Sequence, residues 1–186
     1  MGAYGRRWGA SLSDTIMILL VDWQGGNCRV TRSGSDMQSG GSMKIFSDEW
    51  FRAEWRKLGF HYDRDDESKR WNITGSKEGL RAFVAAIRTY AAESDNDWVS
   101  CHCNLGPYDF LEIGTWNSAI IDGHWIAGRL TDLQDLATCI DEWINASPIV
   151  GASLSLRSHF SPESPYDLWL RVESDDFDPS SLDASL

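Results

Sequence analysis

The residues of this chain with the most chemistry open to them are four histidines, His61, His102, His124 and His159, and the tripeptide Cys101-His102-Cys103. On a strand the two cysteines of that tripeptide share one face and His102 points to the other. A tetrahedral zinc site draws its thiolates from Cys-x2-Cys or Cys-x4-Cys turns instead. The cysteines are therefore expected to pack as small hydrophobes, and neither a metal nor a cofactor is expected. Gly75-Ser76-Lys77 has the look of the end of a phosphate-binding loop, but the first glycine is missing and Ser precedes Lys. His124, in Asp122-Gly123-His124-Trp125, or His102 could act as a general base beside a carboxylate. No nucleophile elbow and no His-Glu-x-x-His helix accompanies them. Binding is thus preferred over catalysis. A small-molecule site or enzyme built on His102 or His124 with nearby carboxylates stands as the alternative.

Tryptophan is the other unusual resource: ten in 186 residues. Strand alternation places Trp98, Trp116 and Trp169 on the face away from the helices. Indole combines large buried area with one polar donor, which suits a binding surface. The binding candidates are these three rings with His102, and Asp175, Asp176 and Asp178 at the rim. The competing reading covers the same face with the first helix or with a second copy of the chain, making a homodimer.

A formal net charge of −11 opposes a nucleic-acid partner, whose phosphates call for Lys and Arg. It fits a protein partner that is basic. Cys28, Cys101, Cys103 and Cys139 form no disulfide framework, as expected of a cytoplasmic chain. The apolar run Ile16–Val21 is far shorter than the ~20 residues that span a bilayer, so no membrane association is expected.

These side chains must be positioned by a framework, and its clearest unit is Trp71–Ala92. Trp71–Gly75 reads as a strand and Ser76 as a helix N-cap. Leu80, Phe83, Val84, Ile87, Tyr90 and Ala91 then fall on one helical face. The pattern recurs: Ile126-Ala127-Gly128 matches Ile73-Thr74-Gly75, and Leu133, Leu136, Ala137, Ile140, Trp143 and Ile144 repeat the stripe. Pro107-Tyr108-Asp109 also returns as Pro165-Tyr166-Asp167. An internal duplication is expected, with repeats over about 60–116 and 117–173. Other expected elements are a helix capped by Ser47 or Asp48 and stopped at Gly59, and strands at 98–104, 108–116, 119–127, 149–160 and 166–173. The result is an α+β fold: a two-layer sandwich, mostly antiparallel, with both repeat helices on one face. Residues 1–42, with a strand at Thr15–Asp22 and a Gly/Ser-rich tract, read as a flexible arm or as a leader before a start at Met43. Residues 174–186 read as a frayed acidic tail.

The segment Trp71–Ala92 resembles the strand-glycine-leucine-helix unit of small immunity proteins from bacterial polymorphic toxin systems. Gly106–Trp116 and Pro165–Ser180 resemble a family of uncharacterised bacterial proteins. The resemblance covers most of residues 60–183 and none of 1–42, and its motifs are structural. It implies a cytoplasmic, non-enzymatic protein that occludes a partner, and the acidic charge suits a basic toxin.

Overall fold

The computed structural model describes residues 46–186; the arm, its strand and Met43 lie outside the described residues. Helix α1 (Asp48–Leu58) starts where Ser47 accepts the Trp50 amide at 3.2 Å and stops at Gly59, whose φ of 86° favours a residue without a Cβ. Strands β1 (Phe60–Asp65) and β2 (Arg70–Gly75) form an antiparallel hairpin. Asp65 closes its turn by accepting the amides of Glu67 and Ser68. Helix α2 (Lys77–Ala92) begins under the Ser76 cap, with Ser76 accepting from the Gly79 amide at 3.1 Å.

Helix α3 spans Leu130–Asn145. Its first turn is closed by Asp132, which reaches back to accept the Arg129 amide, and Thr131 lies inside that turn. The α2 stripe is buried in full, as are Leu133, Leu136, Ala137, Ile140 and Ile144 of α3; Trp143 is half-buried. The two helices pack against each other. Each large aliphatic or aromatic side chain so buried stabilises the fold by roughly 1.5–3 kcal/mol before entropy is counted.

The strands form two four-stranded sheets, not one. Between the helices lie β3 (His102–Leu105), β4 (Leu111–Thr115), β5 (Ile120–Ile121) and β6 (Trp125–Gly128); after α3 come β7 (Ser153–Ser155), helix α4 (Arg157–Phe160) and β8 (Asp167–Val172). One sheet has the order β1-β2-β8-β7 and the other β3-β4-β6-β5. Each joins two antiparallel pairs through a parallel central contact, β2 with β8 and β4 with β6. Every sheet therefore takes one strand pair from each half of the chain, which holds the halves together. Ile73 sits beside Leu170 as Ile126 sits beside Ile113. That correspondence is one residue out from the Pro-Tyr-Asp match, which would set buried Leu111 against half-buried Trp169. Since one residue of slip turns a strand over, the ladder does not support the Pro-Tyr-Asp correspondence.

Three strand expectations are corrected. The strand expected over 98–104 begins only at His102, because Ser100 has φ 73° and its amide donates to the Thr115 carbonyl; Val99 is exposed. Asp122 breaks the 119–127 run by accepting the His124 and Trp125 amides. In the 149–160 run, Asp167 accepts Ser155 Oγ and the Arg157 amide, and the chain turns into α4. The acidic tail is folded rather than frayed. Pro179 and Ser180 are buried in a 3-10 turn (Pro179–Leu182) capped by Asp178, which also pairs with Arg56 at 2.9 Å.

Candidate functional site

A cleft of about 580 Å³ lies where β1, the loop entering β4, the β5–β6 turn and the tail converge. Side-chain hydrogen bonds between the sheets hold its walls. Tyr62 Oη donates to the Leu105 carbonyl and Trp71 Nε1 to the Asp122 carbonyl, both at 2.7 Å. Burial pushes the Tyr62 phenol well above its usual range, so it stays a neutral donor. Arg64 donates to the Gly123 carbonyl, pairs with Asp66 at 2.9 Å and lies 5.8 Å over the Trp71 ring.

The tail supplies the remaining wall. Asp183 accepts Trp55 Nε1 and Tyr108 Oη, each at 2.7 Å. Burial alone would raise its carboxyl, but these two donors hold it below the ordinary carboxylate range. Desolvation and the Asp183 charge push Tyr108 up to about 12. Tyr108 stacks between Phe51 (4.8 Å) and Phe110 (5.8 Å), and Phe110 is 69% exposed.

Around this ladder the cleft is acidic. Asp63 accepts from Asn72 at 2.9 Å. The side chains of Asp109 and Glu112 have no ion pair or hydrogen bond to any described residue. Asp109 stands at the surface with φ 54°, yet the chain crowding its carboxyl desolvates it and raises its pKa. His61 is 6% exposed, its ring 4.7 Å from that of Trp55, and its Nδ1 lacks a partner among the described residues. Burial pushes the imidazole below its usual pKa despite Asp63 and Asp183.

Comparisons with family models, with curated proteins and with solved structures return no match. The site must be read from its own chemistry.

The expected binding residues are not gathered in this cleft. Trp98 is 76% exposed in the turn before β3, and His102 is exposed on β3 with its ring Nδ1 3.1 Å from the Ser100 carbonyl. Trp116, half-buried, packs its ring 5.3 Å from Trp125. Trp169 belongs to the other sheet, where it donates to Asp167 and lies under Arg70. Asp175 and Asp176 are exposed, and Asp178 is tied to Arg56. Cys103 packs against the core, and Cys101 donates to Asn96 Oδ1 at 3.4 Å. Of the two histidines singled out, only His124 lines the cleft, and neither cleft imidazole is hydrogen-bonded to a carboxylate among the described residues. His61 stands in the sequence only as one of four histidines, and Asp109, Glu112 and Asp183 are not marked as site residues by any motif. The one local signal for them was the aromatic-acid run Tyr108-Asp109-Phe110.

The His61 imidazole, whose Nδ1 lacks a partner among the described residues, makes a testable contribution to stability. With its folded pKa below the ~6.5 of an unfolded histidine, its neutral form is favoured. Stability is then complete above that value and falls as pH drops from it through the lower folded pKa. Urea unfolding of His61→Phe should show neutral to slightly higher stability at pH 7, by up to about 1 kcal/mol. It should also show a smaller loss than the parent between pH 7 and 5.

Proposed function

We propose that this chain is a non-enzymatic protein-binding module that occludes a basic partner, in the manner of an immunity or antitoxin-like inhibitor. The observation that carries this reading is the cleft. Exposed and half-exposed rings stand beside the Asp109 and Glu112 carboxylates, which pair with no cation among the described residues, on a chain of net charge −11. Burying an unpaired carboxylate is costly unless a cation arrives with the surface that covers it, so a basic partner is the complementary one. Trp98 and His102 are a second exposed patch for contact. No described helix is long and apolar enough to cross a membrane. The cleft volume also falls in the range of small-ligand sites, which favours small-molecule binding with His124 at the wall as the second reading.

The test is capture on the immobilised full chain, followed by kinetics with the purified captured protein. A basic protein should bind at 1:1, with an association rate that falls steeply as salt rises. Phe110→Ala should weaken it about tenfold or more, while Trp169→Ala should change it little. Binding that ignored both salt and Phe110 would defeat the proposal. Saturable binding of a small metabolite that competes at the cleft would move the reading to the second one.

A further inference from the structure

We propose that the cleft is the seat of one arginine side chain presented by a basic protein partner; this rests on the protein-binding reading above. Three independent features of the cleft converge on a guanidinium. Asp109 and Glu112 are carboxylates without an ion pair to any described residue, and both line the same cavity. The Phe110 ring, 69% exposed and stacked on Tyr108, offers a flat π-face at the mouth. His61, more than nine-tenths buried, lines the wall with a ring nitrogen that no described group satisfies.

The three features ask different things of an occupant. Unpaired carboxylates ask for positive charge, the ring ladder for a flat and weakly hydrated group, and a neutral imidazole nitrogen for an N–H donor or acceptor close by. Guanidinium meets all three: it is planar, stacks on aromatic faces, and spreads five donors in a fork that can reach a carboxylate and a second acceptor together. An ammonium meets only the first demand well, being compact and strongly hydrated. The wall of this cleft already accepts one guanidinium from its own chain. Arg64 lies over Trp71 and is held by Gly123 and Asp66, so it leaves Asp109 and Glu112 for an incoming one.

The experiment titrates the full chain with Nα-acetyl-L-arginine N-methylamide, following backbone amides and indole N–H signals by NMR. The citrulline analogue serves as the uncharged isostere and the lysine analogue as the compact cation. Shifts should be confined to residues around Phe110, Glu112, His61 and Trp55, with a dissociation constant on the order of millimolar for so small a probe. Citrulline should bind about tenfold more weakly, and lysine several-fold more weakly. Asp109→Asn and Glu112→Gln should each weaken arginine about fivefold while leaving the Trp55 indole signal and the melting temperature in place. Equal binding of citrulline, shifts centred on Trp98 or Asp175, or indifference to both carboxylate variants would overturn the seat. Arginine binding in the cleft with no basic protein retained by the immobilised chain would overturn the partner and leave a free organic cation as occupant. The two failures are therefore separable.

Discussion

Gly79→Ala should be among the most damaging single-methyl changes in this protein, lowering stability by about 3 kcal/mol and the melting temperature by about 10 °C. A glycine in the first turn of a helix is, from propensity alone, a defect that alanine would repair by about 1 kcal/mol. The packing reverses that sign. A Cβ at Gly79 would overlap the carbonyl oxygen of Gly59, far inside van der Waals contact, with the Gly59 carbonyl carbon at 3.0 Å. Gly59 is the left-handed stop of α1, and the next residue, Phe60, starts β1 and is wholly buried. The obstacle is backbone at a turn fixed on both sides, so it cannot rotate away as a side chain would. Relief requires α2 to lift from the corner, which also loosens Leu80 and Phe83 beneath it. Thermal denaturation by circular dichroism decides the matter, with exposed Arg81→Ala in the same helix as the control expected to shift little. An unchanged or raised melting temperature for Gly79→Ala would mean that the α1–β1 corner does not approach α2 as described.

The same glycine shows why only part of this fold was legible. Periodicity reports which residues face a core, so the stripes of α2 and α3 and the Ser47, Ser76 and Gly59 boundaries could be read directly. Gly79, in contrast, answers to a carbonyl twenty residues earlier in the chain, and no local pattern encodes that. The fold is α+β with mostly antiparallel sheets, as the pattern implied, but the division into two sheets was hidden for the same reason. Two parallel contacts, β2 with β8 and β4 with β6, link segments far apart in sequence, and alternation along one strand is blind to its neighbour. The strands expected at 98–104, 119–127 and 149–160 are cut short by single residues: Asp122 accepts the amides two and three residues on, Asp167 accepts the Arg157 amide from across the turn, and the positive φ of Ser100 sends its amide to the Thr115 carbonyl.

The candidate site was less legible still. Tryptophan count drew attention to Trp98, Trp116 and Trp169, yet one is exposed, one is packed on Trp125, and one is on the other sheet under Arg70. The cleft is assembled instead from a histidine on β1, acids in and beside β4, and a tail residue. Such a constellation exists only after β1, β4 and the tail meet. Tyr108-Asp109-Phe110 carries the signal but overlaps the Pro107-Tyr108-Asp109 repeat match, and a run can be both loop and ligand surface with nothing in its spacing to tell them apart.

Asp183→Ala should cost about 2–4 kcal/mol, although it removes a single carboxylate from a segment whose composition reads as frayed. The reason is the pair of donors it serves. Trp55 is 1% exposed, and its Nε1 has Asp183 as its acceptor; Tyr108 Oη points to the same oxygen, each at 2.7 Å. Removing the acceptor strands an indole N–H in the interior at roughly 1–3 kcal/mol, and the phenol loses a charge-assisted bond besides. Asp183→Asn keeps the shape and one acceptor oxygen, so it should cost about half as much. The pH dependence separates this from a generic packing loss. Because hydrogen bonds from Trp55 and Tyr108 hold the folded carboxyl below its ordinary range against the opposing pull of burial, its contribution is complete above the unfolded value of about 3.9. It is then lost as pH falls through the lower folded value. Urea unfolding should therefore show a constant gap between parent and Asp183→Asn from pH 7 to 5, narrowing below about pH 4. A gap independent of pH would assign the loss to shape, and no gap at all would mean that the tail does not close the cleft. Since Asp183 also forms part of the wall beside Phe110 and His61, the variant links fold and function. A tail that unlatches should weaken partner binding even though Asp183 itself, already satisfied by two donors, has little left to offer an incoming cation.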